Sequence, residues 1–176
     1  TDVPTGAKQL KNSVNSLKAA GCTSADYGME KAADILKDRK GDDANRPAVV
    51  IMFTDGEPNR DSGYDKAVAG AAVKAAKGLK DKGIKVYTIG MFGDANQSDT
   101  NNKFNQYMHG VSSNYPNAVN DKNSSSGVNL GTRASGNYYF AAANAGELDK
   151  IFQSIGQEVS SLKLDVGTDT VLSDTL

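Results

Sequence analysis

The sequence has little of what disulfide-stabilised and many catalytic proteins require. Its 176 residues include one cysteine, one histidine and no tryptophan. A single cysteine excludes an internal disulfide framework and a multi-cysteine zinc site. The formal net charge of −1 gives no electrostatic basis for binding nucleic acid or an anionic membrane. No run approaches the roughly 20 apolar residues that span a bilayer, so we expect no membrane span in this segment.

The two scarce residues also offer little as reactive groups. We expect Cys22 to be a small buried residue rather than a reactive thiol. His109 follows Tyr107 and Met108 on a short helical pattern, and no Gly-x-Ser-x-Gly elbow or nearby cysteine gives it a catalytic partner. We therefore expect His109 to be a solvated or half-buried helical residue.

Helical and strand patterns alternate along the chain. Apolar spacing predicts helices over residues 5–21, 25–40, 64–82, 102–111 and 144–159, and strands over residues 48–53, 84–94 and 137–141. The order predicts an α/β fold with a mostly parallel sheet between helical layers. Residues 112–136 are polar and rich in Ser, Asn and Gly, which is typical of a long functional or mobile loop. Alternation in residues 162–176 predicts a strand that leads out into a following domain.

The apolar run "AVVIMF" ends at Thr54-Asp55-Gly56. A continuous apolar run is typical of a parallel strand covered on both faces, and ligands bind at the carboxyl ends of such strands. Thr23 stands at a predicted helix start, where hydroxyl and N–H groups are available. If both residues lie at one sheet edge, their oxygens suit a hard divalent cation. The alternatives are that Asp55 is only a turn residue and Thr23 only a helix cap.

Several segments together resemble von Willebrand factor type A domains. "GCTSADYGMEKA" is similar to the family's Gly-Gly-Thr loop and helix, "VVIMFTDGEPN" to its strand ending in Thr-Asp-Gly, and "GIKVYTIGMFGD" to its next strand. "SSNYPNA" and "YYFAAANAGELDKIFQSIGQEV" resemble the type A domains of Gram-positive surface adhesins and pilus-tip proteins. The resemblance implies a three-layer, doubly wound, Rossmann-like fold with a metal-ion-dependent adhesion site (MIDAS). In that site Thr23 would be the loop threonine and Asp55 the loop aspartate.

One motif of that family is absent from these residues. The family's first strand, which ends in Asp-x-Ser-x-Ser, has no counterpart here, so residues 1–161 resemble a type A domain that is incomplete at its N-terminal side. We expect the strand at residues 48–53 to have an unpaired apolar edge, and the natural protein to extend beyond both ends. Since Mg²⁺ takes about six oxygens, Thr23 and Asp55 alone should bind Mg²⁺, Mn²⁺ or Ca²⁺ weakly. Asp94 and Asp99 are expected to be solvated loop residues.

The resemblance implies a function in adhesion rather than catalysis. We expect an extracellular module, anchored to a Gram-positive cell wall through other segments, that binds a protein or matrix ligand through a carboxylate on the metal. Other pilus or surface-protein subunits are further expected partners. Two alternatives remain open at this point: a metal-dependent hydrolase or phosphotransferase that uses Asp55, and an intracellular scaffold domain, with which a free cysteine is compatible.

Overall fold

A parallel sheet of three strands forms the centre of the molecule. The computed structural model describes residues 3–18, 20–40 and 46–164. Its helices are α1 (Val3–Asn15), α2 (Ala25–Lys37), α3 (Lys66–Lys80), α4 (Lys103–Val111) and α5 (Ala145–Leu164), and its strands are β1 (Val49–Thr54), β2 (Lys85–Gly90), β3 (Val119–Asn120), β4 (Val128–Asn129) and β5 (Tyr139–Ala141). The strand order is β1-β2-β5, with parallel pairing throughout. This confirms the predicted α/β fold with a mostly parallel sheet.

Helices cover both faces of this sheet because successive strand residues point to opposite sides. On one face Val86 and Tyr139 pack with the buried side chains of α3 and α4, and Met29 of α2 joins the same cluster. On the other face Tyr87 and Ile89 pack against Ile155 of α5. The two clusters make the fold a three-layer α/β/α arrangement, as predicted.

Local signals explain where α3 begins and ends. The carboxylate of Asp65 accepts hydrogen bonds from the N–H groups of Ala67 and Val68, at 2.8 and 3.3 Å, which is a typical N-cap. The helix ends before Gly83, whose φ of +75° continues the chain in a left-handed conformation that favours glycine. The helix therefore returns the chain from the carboxyl end of β1 to the start of β2.

The prediction that the first strand is buried on both faces is wrong. Ile51 and Phe53 of β1 are 38% and 47% exposed, whereas the central strand β2 is buried from Val86 to Gly90. The reason is position in the sheet: in the described part of the chain β1 pairs with β2 on one side and with no strand on the other. Within the described residues this edge is therefore apolar and unpaired, as expected from the sequence.

The predicted loop at residues 112–136 is more structured than its composition indicates. It contains the short antiparallel pair β3–β4, and Ser124 near its tip accepts a hydrogen bond from the N–H of Val128 at 2.9 Å. The hydroxyl of Tyr64 in turn donates to the carbonyl of Ser126 at 2.6 Å. Strands of this length have no readable periodicity, so the sequence could not indicate them.

Two side-chain environments also differ from those predicted. Cys22 is exposed, because it lies in the loop before α2 rather than in the core. His109 is completely buried, because α4 packs its side chain between Tyr115 and Tyr139.

The ends of two helices also differ from the predicted ends. The first helix ends at Asn15, and the apolar side chains of Leu10 and Val14 are 67% and 56% exposed. Helix α5 continues to Leu164, so the strand predicted from residue 162 is wrong for its first three positions. Residues 165–176, with the rest of that prediction, lie outside the described residues.

Candidate functional site

A tight turn follows β1 and presents Asp55 at the carboxyl edge of the sheet. Thr54 is buried, and its hydroxyl donates to the carbonyl of Gly56 at 2.9 Å while the Gly56 N–H approaches it at 3.3 Å. These bonds use the Thr54 side chain to close the turn. Asp55 itself is exposed and is available to a ligand at this edge.

The loop before α2 meets the same turn. The N–H of Asn59 donates to the carbonyl of Thr23 at 3.0 Å, and the Asn59 side-chain oxygen accepts from the Thr23 N–H at 3.4 Å. The Thr23 hydroxyl oxygen lies 3.3 Å from the position that a Cβ on Gly56 would take. The structure therefore brings Thr23 to the turn that carries Asp55, as the sequence predicted. Their role as metal ligands stays a prediction.

An ion pair between an exposed arginine and a buried aspartate makes a second connection between the two loops. Asp26 in the first turn of α2 is 2% exposed and pairs with Arg60, whose guanidinium also lies 4.9 Å from the ring centroid of Tyr27. The other oxygen of Asp26 has no hydrogen-bond partner among the described residues. Sequence reasoning missed Asn59, Asp26 and Arg60, because nothing in their spacing indicates that they meet.

The loops after β2 and β5 complete this edge of the sheet. The buried side chain of Asn105 donates to the carbonyl of Asp94 at 3.0 Å and accepts from the N–H of Asn96 at 3.0 Å. The hydroxyl of Tyr139 donates to the same Asn105 oxygen at 2.6 Å. Residues 94–96 are thus fixed to α4 and β5, and the edge is held by buried polar groups rather than by loop contacts alone.

The oxygen donors at this edge fit a hard divalent cation only in part. The Thr23 hydroxyl and the Asp55 carboxylate are of the type that Mg²⁺ prefers, but a full shell takes about six oxygens. The described residues hold no group of three or more His, Cys, Asp or Glu side chains placed to bind a metal. Most of the coordination would therefore come from water or from groups outside these two side chains.

His109 offers no exposed ligand at this edge. Its ring is fully buried, and its Nδ1 is 3.0 Å from the side-chain nitrogen of Asn114. Burial lowers the pKa of His109 to about 4, which keeps the ring neutral near pH 7. A buried neutral ring of this kind serves packing rather than proton transfer at the surface.

Among the described helices, none combines the length and the apolar composition that a membrane-spanning helix needs.

Comparison with known protein families identifies one family that matches most of the chain. A family model described as von Willebrand factor type A domain matches residues 2–154, which include the three parallel strands as well as Thr23 and Asp55. No curated protein and no solved structure matches the chain. Members of the matched family are typically protein-interaction modules and not enzymes. The order of the elements, the carboxyl-edge turn and the extent of the match together show that the chain belongs to the von Willebrand factor type A domain family.

Proposed function

We propose that this domain is an extracellular adhesion module that presents a divalent cation to a carboxylate of its protein or matrix ligand. The observation that supports the proposal is the meeting of Thr23 with the turn that carries Asp55, through the two hydrogen bonds of Asn59. Thr23 and Asp55 would hold the ion, with Mg²⁺ preferred and Mn²⁺ or Ca²⁺ as substitutes. When bound, the ion would supply an open coordination position for the ligand carboxylate.

Asn59 and Arg60 act as positioning residues in this proposal. Asn59 joins the two loops through main-chain and side-chain bonds, and Arg60 holds the turn to the buried carboxylate of Asp26. Both interactions fix the separation between Thr23 and the turn before any ion binds. Preorganisation of this kind lowers the ordering cost of binding, although two protein oxygens still limit affinity.

The open edge of β1 supports a further part of the proposal, that another strand completes the site. The Thr54 carbonyl accepts from the Met91 N–H beyond the end of β2, so Thr54 faces β2. Because a strand residue directs its N–H and C=O to the same side, Val49, Ile51 and Phe53 direct theirs to the open edge. A groove of about 370 Å³ runs beside this edge between β1 and α2 and reaches Thr23. We propose that an Asp-x-Ser-x-Ser segment of a longer natural chain pairs here and brings further oxygens to Asp55.

The proposed location rests on sequence resemblance. Residues 112–118 and 138–159 resemble those of Gram-positive surface adhesins and pilus-tip proteins, which supports anchoring to the cell wall through other segments and contact with other pilus subunits. Antibodies against the domain should label intact cells that produce it. Labelling that requires permeabilised cells would favour an intracellular scaffold instead.

Titration with Mn²⁺, followed by calorimetry, tests the metal site. We expect weak binding by the 176-residue chain, much tighter binding by a chain that includes an upstream Asp-x-Ser-x-Ser segment, and loss of binding in Asp55→Asn and Thr23→Val. Asp61→Asn is the matched control, since Asp61 is an exposed carboxylate in the same loop. Equal binding by Asp55→Asn and the unsubstituted protein would refute the proposal. Hydrolysis of a phosphate ester that is lost in Asp55→Asn would favour the enzyme alternative.

A further inference from the structure

A cavity of about 480 Å³ opens at the carboxyl edge of the sheet, between the loops that follow β2 and β5. Its volume is in the range of ligand pockets, which are about 300 to 1,000 Å³. Most of its lining is apolar, and the lining residues are Met91, Phe92, Gly93, Ala95, Ala141, Ala142, Ala143 and Glu147. A cavity of this size and lining can receive a medium-sized apolar side chain.

The cavity adjoins the turn that carries Asp55. Gly90 is the register partner of Thr54, and the next residue, Met91, donates its N–H to the Thr54 carbonyl at 2.9 Å. Because neighbouring strands lie about 4.8 Å apart, the Met91 wall of the cavity is within one residue's reach of Asp55. A ligand that contacts Asp55 or an ion held there can therefore reach this cavity as well.

The walls of the cavity are already formed without a ligand. The ring of Phe92 stacks on Phe104, with centroids 3.8 Å apart and planes 9° apart. The N–H of Ala142 donates to the carbonyl of Gly90 at 2.9 Å, and the N–H of Ala141 donates to the side chain of Gln97 at 3.2 Å. Since both loops are tied to the sheet or to α4, binding would require little ordering.

Carboxylates surround the apolar lining. Glu147 is exposed, and one of its oxygens accepts from the N–H of Ala143 at 2.8 Å. Asp94 and Asp99 line a polar depression that shares Gly93 and Ala95 with the cavity. Hydrogen bonds from the N–H groups of Asn101 and Asn102 hold the pKa of Asp99 below its ordinary value. Among the described residues, no lysine or arginine lines either the cavity or the depression, so this region attracts cations.

We propose that this cavity binds an apolar side chain of the protein partner, with an adjacent lysine or arginine of the partner facing the carboxylates of Asp94, Asp99 and Glu147. The proposal rests on the proposed function in that it describes part of the same partner. Its contacts, however, need no metal ion. The partner would then carry a carboxylate for the metal and, beside it, an apolar residue followed by a basic one.

Peptide binding in metal-free buffer tests the cavity separately from the metal site. The probe is the blocked peptide Ser-Leu-Lys-Ser, and the matched peptides replace its leucine by serine or its lysine by glutamate. Amide NMR spectra of the protein should show saturable shifts at residues 91–93 and 141–143 with the first peptide at millimolar concentration. We expect binding to weaken about tenfold without the leucine, from the apolar area lost, and about threefold without the lysine charge, as for an exposed ion pair.

Protein variants should give the same pattern. Ala95→Leu fills the cavity and should abolish the peptide-induced shifts. If this variant does not fold, Ala143→Leu at the exposed rim of the cavity provides the same test. Ala67→Leu, on the exposed start of α3, is the matched control. Asp94→Asn should weaken binding about threefold, whereas Asp61→Asn should not.

Several results would overturn the proposal. They are equal shifts with the leucine and serine peptides, shifts that map to the open edge of β1 instead, and binding that survives both cavity-filling variants. Equal Mn²⁺ binding by Asp55→Asn and the unsubstituted protein, with intact peptide binding, would refute the metal site alone, so the two proposals fail separately.

Discussion

Lowering the pH from 7 to 5 should destabilise the domain through His109. The ring is completely buried and lies edge-on to the rings of Tyr115 and Tyr139. Its Nδ1 faces the side-chain amide of Asn114, whose oxygen accepts from the Tyr138 N–H at 2.7 Å. The Asn114 nitrogen is therefore the donor to Nδ1, and the imidazole proton is on Nε2, which has no partner among the described residues.

Protonation of this ring is unfavourable in the folded state. Burial, followed by the charge of Arg133, lowers the pKa of His109 from 6.5 to about 4. Above pH 6.5 both folded and unfolded chains hold a neutral ring, and the full stability is present. As the pH falls from 6.5 toward 4, only the unfolded chain binds the proton, and stability is lost. Between pH 7 and pH 5 this difference lowers the free energy of unfolding by about 2 kcal/mol.

Urea unfolding at pH 7 and pH 5, followed by circular dichroism, measures the effect. His109 is the single histidine of the chain, so no other imidazole contributes. His109→Gln, which keeps a hydrogen-bond acceptor for Asn114, should lose about 2 kcal/mol less than the unsubstituted protein over this interval. Equal losses in the two proteins would refute the reasoning. A folded-state NMR titration of the ring with a midpoint near 6.5 would refute it independently of how stable the variant is.

Three further substitutions should lower the free energy of unfolding, each because it disrupts a contact seen in the structure. Gly127→Ala should lower the free energy of unfolding by about 3 kcal/mol, measured by urea unfolding, because φ is +73° and an added Cβ would clash with the carbonyl oxygen of Lys66. Lys80→Met should lower the free energy of unfolding by about 2 kcal/mol in the same assay, because the Lys80 side chain donates to the main-chain carbonyls of Gly110, Ser112 and Tyr115 at 2.7 to 3.2 Å. Arg60→Met should lower the free energy of unfolding by about 3 kcal/mol and lower Tm, because it leaves the carboxylate of Asp26 buried without its cation.

Matched substitutions control for each of these effects. Gly83 has a similar φ of +75°, but a Cβ added there would meet open space. Gly83→Ala should therefore lower the free energy of unfolding clearly less than Gly127→Ala does. Lys74→Met removes an exposed ammonium on α3, the helix that carries Lys80, and should leave the free energy of unfolding nearly unchanged. In an Asp26→Asn background, Arg60→Met should cost much less, because a neutral amide needs no cation. If any control costs as much as its test substitution, the assigned cause is wrong.

The elements that the sequence predicted well carry their signals locally. The helix predicted from residue 144 begins there because Asn144 caps it: the N–H of Glu147 donates to the side chain of Asn144 at 3.0 Å. The Glu147 carboxylate accepts a hydrogen bond from the N–H of Ala143, the residue before Asn144. Helix α4 begins after Asn102, where its prediction placed the start, because the cap bonds reach only two and three residues ahead. Signals of this range can be read without knowing the fold.

Predictions that depended on distant neighbours were less successful. The run Val49–Phe53 has the composition of a central strand, yet its exposure is decided by whether another strand lies beside it. His109 and Cys22 were misjudged for the same reason, because the amount of solvent around a side chain depends on which elements pack there. The candidate site shows a similar division: Thr23 and Asp55 were proposed as its ligands from their sequence context, whereas the interactions of Asn59 and Arg60 were not predicted.

The sequence by itself determined the α/β fold class, the alternation of helices and strands, and the candidate residues Thr23 and Asp55. These follow from apolar periodicity and from residue types that act within a few positions of one another. The tertiary structure alone decided that Ile51 and Phe53 of β1 are exposed, that Asp26 and Arg60 pair across two loops, and that a cavity lies beside Met91. Each of these depends on contacts between residues far apart in the chain, which no local pattern encodes.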